Sequence, residues 1–125
     1  MTDLIDLAAR VGALDGACAE TDALIALAAY EGRWPIASYG GQPINYDPAL
    51  WMERHCFEPT ASIDDAVMLV PEGWSFGAGK DDIIPGPTGW AWVSSDDDTN
   101  IVKAATPALA LVSAALKARA HIKGE

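Results

Sequence analysis

Hydrophobic residues recur at steps of three and four in several stretches of this chain and at steps of two in another, which sorts it into helices and strands. Leu4, Ile5, Leu7, Ala8, Val11 and Leu14 mark an amphipathic helix over Asp3–Leu14, with Thr2 or Asp3 as its cap. A second helix is predicted over about Glu20–Glu31, capped by Thr21 or a neighbouring acid. Its apolar contacts come from Ala23, Leu24, Leu27, Ala28 and Tyr30, and Gly32 is its expected C′ residue. A third begins at Ser62, where Ser62-Ile63-Asp64-Asp65 resembles a capping box with Asp in place of Glu or Gln, and ends at Pro71 and Gly73. The last opens at Thr106-Pro107, a cap followed by the residue favoured at the first helical position. Leu109, Val112, Ala115, Leu116 and Ala120 form its stripe, and Lys117, Arg119 and Lys123 gather where the helix dipole favours positive charge.

Between the third and fourth helices the period becomes two. Trp74–Gly77 alternates bulky and small residues, Gly79–Gly89 reads as a hairpin loop, and Trp90–Val93 is the return strand with Trp90 and Trp92 on one face. Asp96–Asn100 is a polar turn and Ile101–Ala104 a third strand. The pattern predicts an α/β (α+β) fold: a small antiparallel sheet of about three strands sandwiched by helices, with Trp74, Trp90 and Trp92 facing a helix layer. The length of 125 residues fits a single domain over 1–125 with a core that needs no staples.

Arg33–Pro59 breaks both periods. Five prolines or glycines punctuate Pro35–Pro48, and Trp34, Tyr39, Tyr46, Trp51 and Phe57 are spread through the stretch. Aromatic rings must pack somewhere, so this is an ordered excursion and not a linker, with a helical turn expected over Pro48–Arg54. Trp34, Tyr39, Tyr46 and Trp51 are candidates to line a ligand pocket or a subunit interface. Arg33, Arg54 and Lys80 would supply local positive charge.

The chain carries 18 acidic and 8 basic residues, a formal net charge of −10. That disfavours broad contact with nucleic acid or an anionic membrane surface, both of which need clustered Lys and Arg. It leaves room for a basic protein partner, and acidity also serves solubility. The N-terminus lacks the pattern of a signal peptide and no apolar run reaches a membrane span, so a cytoplasmic location is expected. Cys18 and Cys56 make no disulfide framework, and Cys18, in an Ala-rich stretch, reads as a small core residue.

Chemistry-bearing patterns are incomplete. His55 and Cys56, with Glu53 and Glu58, lack the paired spacing of a zinc site, and no nucleophile signature surrounds Cys56. Asp96–Asp98 with Asp81-Asp82 lacks the alternate spacing of a calcium loop. Gly77-Ala78-Gly79-Lys80 lacks the rest of a phosphate loop. No catalytic residue, metal site or cofactor is therefore assigned.

LVPEGW closing the third helix, the short Trp/Phe hairpin and the final TPALALVSAALKARA helix together resemble small phage and prophage proteins with the phage ABA sandwich domain. ETDALIALAAYEG resembles their N-terminal element, so the likeness covers roughly Ala19–Gly32 and Thr60–Ala120. It implies an α-β-α arrangement in a phage or prophage accessory protein of the bacterial host cytoplasm, and it carries no catalytic residues. The expected function is non-enzymatic: self-association as a homo-oligomer through the aromatic excursion, or contact with a host or phage protein. One alternative is a binder that sequesters a nucleotide-like signal of host defence by aromatic stacking together with Arg33 or Arg54. Another is an acidic decoy of a nucleic-acid-binding protein, which requires Asp64, Asp65, Asp81, Asp82 and Asp96–Asp98 to share one face.

Overall fold

Three of the four described helices begin where a capping side chain accepts a free backbone N–H. A computed structural model describes residues 3–29, 58–81 and 88–124. The excursion residues 33–57, with the helical turn expected at Pro48–Arg54, lie outside the described residues, as do Tyr30, Gly32 and the hairpin-loop residues 82–87. Asp3 caps α1 (Leu4–Gly12), its carboxylate accepting the Asp6 N–H at 2.8 Å. Thr106 caps α4 (Pro107–Lys123) through the Leu109 N–H, and Pro107 holds the first turn. At its far end α4 closes on Gly124, whose φ of 82° is the left-handed conformation glycine adopts without strain.

Two expected caps work differently. Thr21 lies inside α2 (Ala19–Ala29), fully buried, so it does not cap that helix. Ser62 does cap α3 (Ile63–Val67) by accepting the Asp65 N–H. The reciprocal half of the box is not made to Ser62. Asp65, one methylene shorter than Glu, accepts the Glu58 N–H at 2.8 Å instead. α3 is also shorter than its apolar pattern suggested: after Val67 the bonds tighten to three-residue steps, Met68 to Asp65, Leu69 to Ala66 and Val70 to Val67.

The strands are β1 (Ser75–Lys80), β2 (Gly89–Ser94) and β3 (Thr99–Ala104), antiparallel in the order β1-β2-β3. Gly79, Lys80 and Gly89, expected in the hairpin loop, and Thr99 and Asn100, expected in the polar turn, are strand residues because cross-strand pairing extends the ladders past the apolar alternation. The α+β class, with helices packed on a three-stranded antiparallel sheet, is thus the one expected. The register pairs Gly77 with Trp92, Gly79 with Trp90, Trp92 with Ile101 and Trp90 with Lys103. Because side chains alternate, Ala91, Val93, Val102 and Ala104 share the inner face, and all four are buried in the core with α4.

α4 is the central element. It packs against all three strands, α1 and α3. The expected stripe is buried, but so are Ala110, Leu111, Ser113, Ala114 and Ala118, so the helix is enclosed on every side over Ala108–Leu116 and exposed only in its last turn. Alanine makes this possible, since small side chains let neighbours approach from several directions at interior packing density. The buried Ser113 hydroxyl donates to the Ala8 carbonyl of α1 at 2.8 Å, which keeps this polar group satisfied in the core. Arg119, near the C-terminal end, donates through Nε to the Leu69 carbonyl at 2.7 Å and through a terminal nitrogen to the Ala29 carbonyl at 3.3 Å. One guanidinium thereby ties the ends of α2 and of the α3 turn to α4. No helix among the described residues is long and apolar enough to cross a membrane.

Candidate functional site

The outer face of the sheet is the candidate site. It is built by period-two alternation from three cross-strand rows: Ser75–Ser94–Thr99, Gly77–Trp92–Ile101 and Gly79–Trp90–Lys103. Trp90 and Trp92 were expected to face a helix layer. They point away from α4 instead, keeping 37% and 36% of their surface exposed beside Ile101 at 73%. The reason is steric. At Gly89 the chain passes so close to the start of α4 that a Cβ would collide with the backbone of Thr106 and Pro107. Along β2 the small residues Gly89, Ala91 and Val93 take the helix side, and the indoles are left the other.

Each indole reaches across to β1 and occupies the space a neighbour's side chain would fill. A Cβ on Gly77 would stand 2.6 Å from Nε1 of Trp92, and one on Gly79 would stand 2.5 Å from Cζ2 of Trp90. Covering a strand glycine with a cross-strand aromatic stabilises the pair, which explains part of the arrangement without a ligand. It does not explain the remaining exposure or the far more exposed Ile101 in the same row. Grouped exposed apolar side chains mark contact surfaces, and Trp is the residue most enriched at their energetic centres.

Charge distinguishes this face further. None of its nine positions is a carboxylate, in a chain with 18 acidic residues, and Lys103 is its one charged group. At the opposite end of the strands the face runs into a cavity of about 400 Å³ lined by Glu72, Gly73, Trp74, Ser75, Ser94, Ser95, Asp96 and Asp97. Trp74 packs on the core there and meets the His121 ring edge-on at 6.3 Å. Ser94 and Thr99 share a hydroxyl–hydroxyl bond of 2.9 Å across the outer row. Among the described residues no three His, Cys, Asp or Glu side chains are grouped to hold a metal ion.

A second polar cluster lies on the helical side. Asp22 is 3% exposed and accepts both the Thr60 N–H (2.9 Å) and the Thr60 hydroxyl (2.8 Å). Burial pushes its carboxyl up to about 6, and the nearby Glu58 and Asp65 add repulsion, while the Thr60 bonds pull the other way. Thr60 Oγ1 also accepts the Cys18 N–H at 2.9 Å, so Thr60 closes the start of α2 where Thr21 does not. Cys18 is half-buried at that helix start and is not a core residue. Its thiol is lowered, first by the Thr21 hydroxyl, which donates to Sγ at 3.1 Å, then by the backbone N–H groups of the first turn. This cluster joins α2 to the stretch that precedes α3.

The residues singled out in the excursion, Arg33, Trp34, Tyr39, Tyr46, Trp51 and Arg54, lie outside the described residues, as do His55, Cys56 and Asp82. The outer face was legible in part: Trp90 and Trp92 were assigned one face, and the alternating Gly77 and Gly79 opposite them were its signal. The Asp22–Thr60 pair and the carbonyl contacts of Arg119, a residue assigned only to the helix dipole, were not legible because the partners are 38 to 90 residues away. Compared with known proteins, the chain matches no family model, no curated sequence and no solved structure.

Proposed function

We propose that this chain is a non-enzymatic binding protein that acts by contact with another protein chain, and that the outer sheet face is its contact surface. One observation carries the reading: Trp90, Trp92 and Ile101 form an exposed apolar group on an acid-free face of a strongly acidic chain. Protein interfaces concentrate aromatic residues and exclude charge at their centre, and this face has that composition. The likeness of LVPEGW and TPALAL to phage ABA-sandwich proteins supports a place among phage or prophage accessory proteins of the bacterial cytoplasm.

The test is native mass spectrometry of tagged protein recovered gently from the cells that make it, beside the Trp90→Ser/Trp92→Ser variant. A protein chain bound in a fixed ratio, and lost in the variant while its circular dichroism is unchanged, is the expected result. A bound small molecule would replace this reading with ligand sequestration. A protein partner retained by the variant would move the contact to another surface.

A further inference from the structure

Resting on the protein-contact reading, we propose that the partner is a second copy of this chain, packed outer face to outer face and end for end about a twofold axis. Two chains of charge −10 repel across most approaches. The acid-free outer face is where they can meet without burying an unpaired carboxylate, a burial that association cannot tolerate cheaply. Sheets that pack face to face stand about 10 Å apart with their side chains interdigitating, and the indoles and Ile101 supply that layer.

Charge then selects the orientation. Lys103 marks one end of the face, and the cavity with Glu72, Asp96 and Asp97 marks the other. The rows of Lys103 and Ser94 are four residues apart along the strands, about 13 Å. Among the described residues none of these four charged side chains has an ion-pair partner. A twofold axis lying between the faces and perpendicular to the strands exchanges the two ends. Each Lys103 then enters the acidic end of the other copy, giving two symmetric ion pairs at the rims. An axis parallel to the strands would instead leave each lysine at the partner's lysine end. Three strands of six residues span only about 14 by 20 Å, well under the roughly 800 Å² per partner of a standard stable interface. The dimer is accordingly weak.

The experiment is sedimentation equilibrium of the full chain from micromolar to millimolar concentration, with Trp92→Ser, Lys103→Glu and Asp96→Lys/Asp97→Lys. Far-ultraviolet circular dichroism checks that each variant is folded. Wild type is expected to dimerise, Trp92→Ser to remain monomeric, and each charge variant alone to weaken association about tenfold. Mixing the two charge variants restores it, because Glu at 103 then faces Lys at 96 and 97 while the native pair reforms on the other rim. A dimer whose constant ignores the charge variants, or a mixture no tighter than its components, overturns the end-for-end arrangement. A wild type that is monomeric throughout overturns the dimer. If native mass spectrometry then shows a Trp-dependent partner of different sequence, the protein-contact reading survives; a dimer indifferent to Trp92→Ser overturns both.

Discussion

The two faces of the sheet come from the same eighteen strand positions yet obey different rules. At its centre the inner face is built of small side chains, with Ala91, Val93, Val102 and Ala104 pressed against the buried Ala108–Leu116 stretch of α4, while Phe76, opposite Val93, shares this face at the sheet edge and is 42% exposed. The outer face carries the two largest side chains of the sheet, Trp90 and Trp92, and leaves over a third of each exposed. Hydrophobicity alone would send the indoles inward. The close approach of β2 to α4 sends them outward, since packing density near the helix rewards fit over apolar area. On the central strand β2 the size of a side chain, more than its hydrophobicity, decides which layer it joins.

Substitutions can break or sharpen that contrast. The largest effect is expected inside. Leu116→Ala removes a fully buried side chain from α4, leaves a cavity, and should lower unfolding free energy by about 2–5 kcal/mol in urea titrations. A loss under 1 kcal/mol would mean that the helix is less tightly enclosed than its burial indicates.

Next is Asp22, on the helical side. Its folded value of about 6 exceeds the ordinary 3.8, so the folded state holds the proton more tightly. The corresponding stability is fully present below pH 3.8 and is lost as pH rises through about 6. Wild type relative to Asp22→Asn should therefore lose about 2–3 kcal/mol between pH 4 and pH 7. Asn keeps an acceptor for Thr60, which isolates the charge, and parallel stability curves for the two proteins would refute the assignment.

Gly89→Ala tests the steric argument directly. Its Cβ meets backbone, not a movable side chain, and a loss of about 1–3 kcal/mol is expected from thermal or chemical unfolding. Gly77→Ala contrasts with it. There the obstacle is the Trp92 indole, which can swing aside toward solvent, so about 1 kcal/mol or less is expected together with a shift in tryptophan emission. Smallest of all, Ile101→Thr on the outer face should change stability by no more than about 0.5 kcal/mol, measured by the same unfolding titrations. If it costs as much as Gly89→Ala, something covers the outer face and the contrast fails.

Much of the architecture was legible because it is local. Asp3, Ser62 and Thr106 act as caps through hydrogen bonds three residues long, and Pro107 confines its own backbone. The strands announced themselves through the alternation of Trp74–Gly77 and Trp90–Val93. Where reading failed, the deciding partner was remote. Thr21 has the chemistry of a cap, but Thr60, 42 residues beyond Cys18, takes that position. Asp65 looked like half of a capping box, yet Glu58 offered its N–H within reach of a shorter side chain.

The sequence by itself therefore determined the type and order of the described elements, the caps at Asp3, Ser62 and Thr106, and the fact that Trp90 and Trp92 share a face, because these depend on bonds and periods spanning a few residues. Only the tertiary structure decided which face meets the helix, that α4 is enclosed rather than amphipathic, and that Asp22 is buried with Thr60. Those outcomes depend on how closely distant backbones can approach. Period two supplies two faces but no direction, and the missing Cβ at Gly89, set against the backbone of Thr106, supplies the direction.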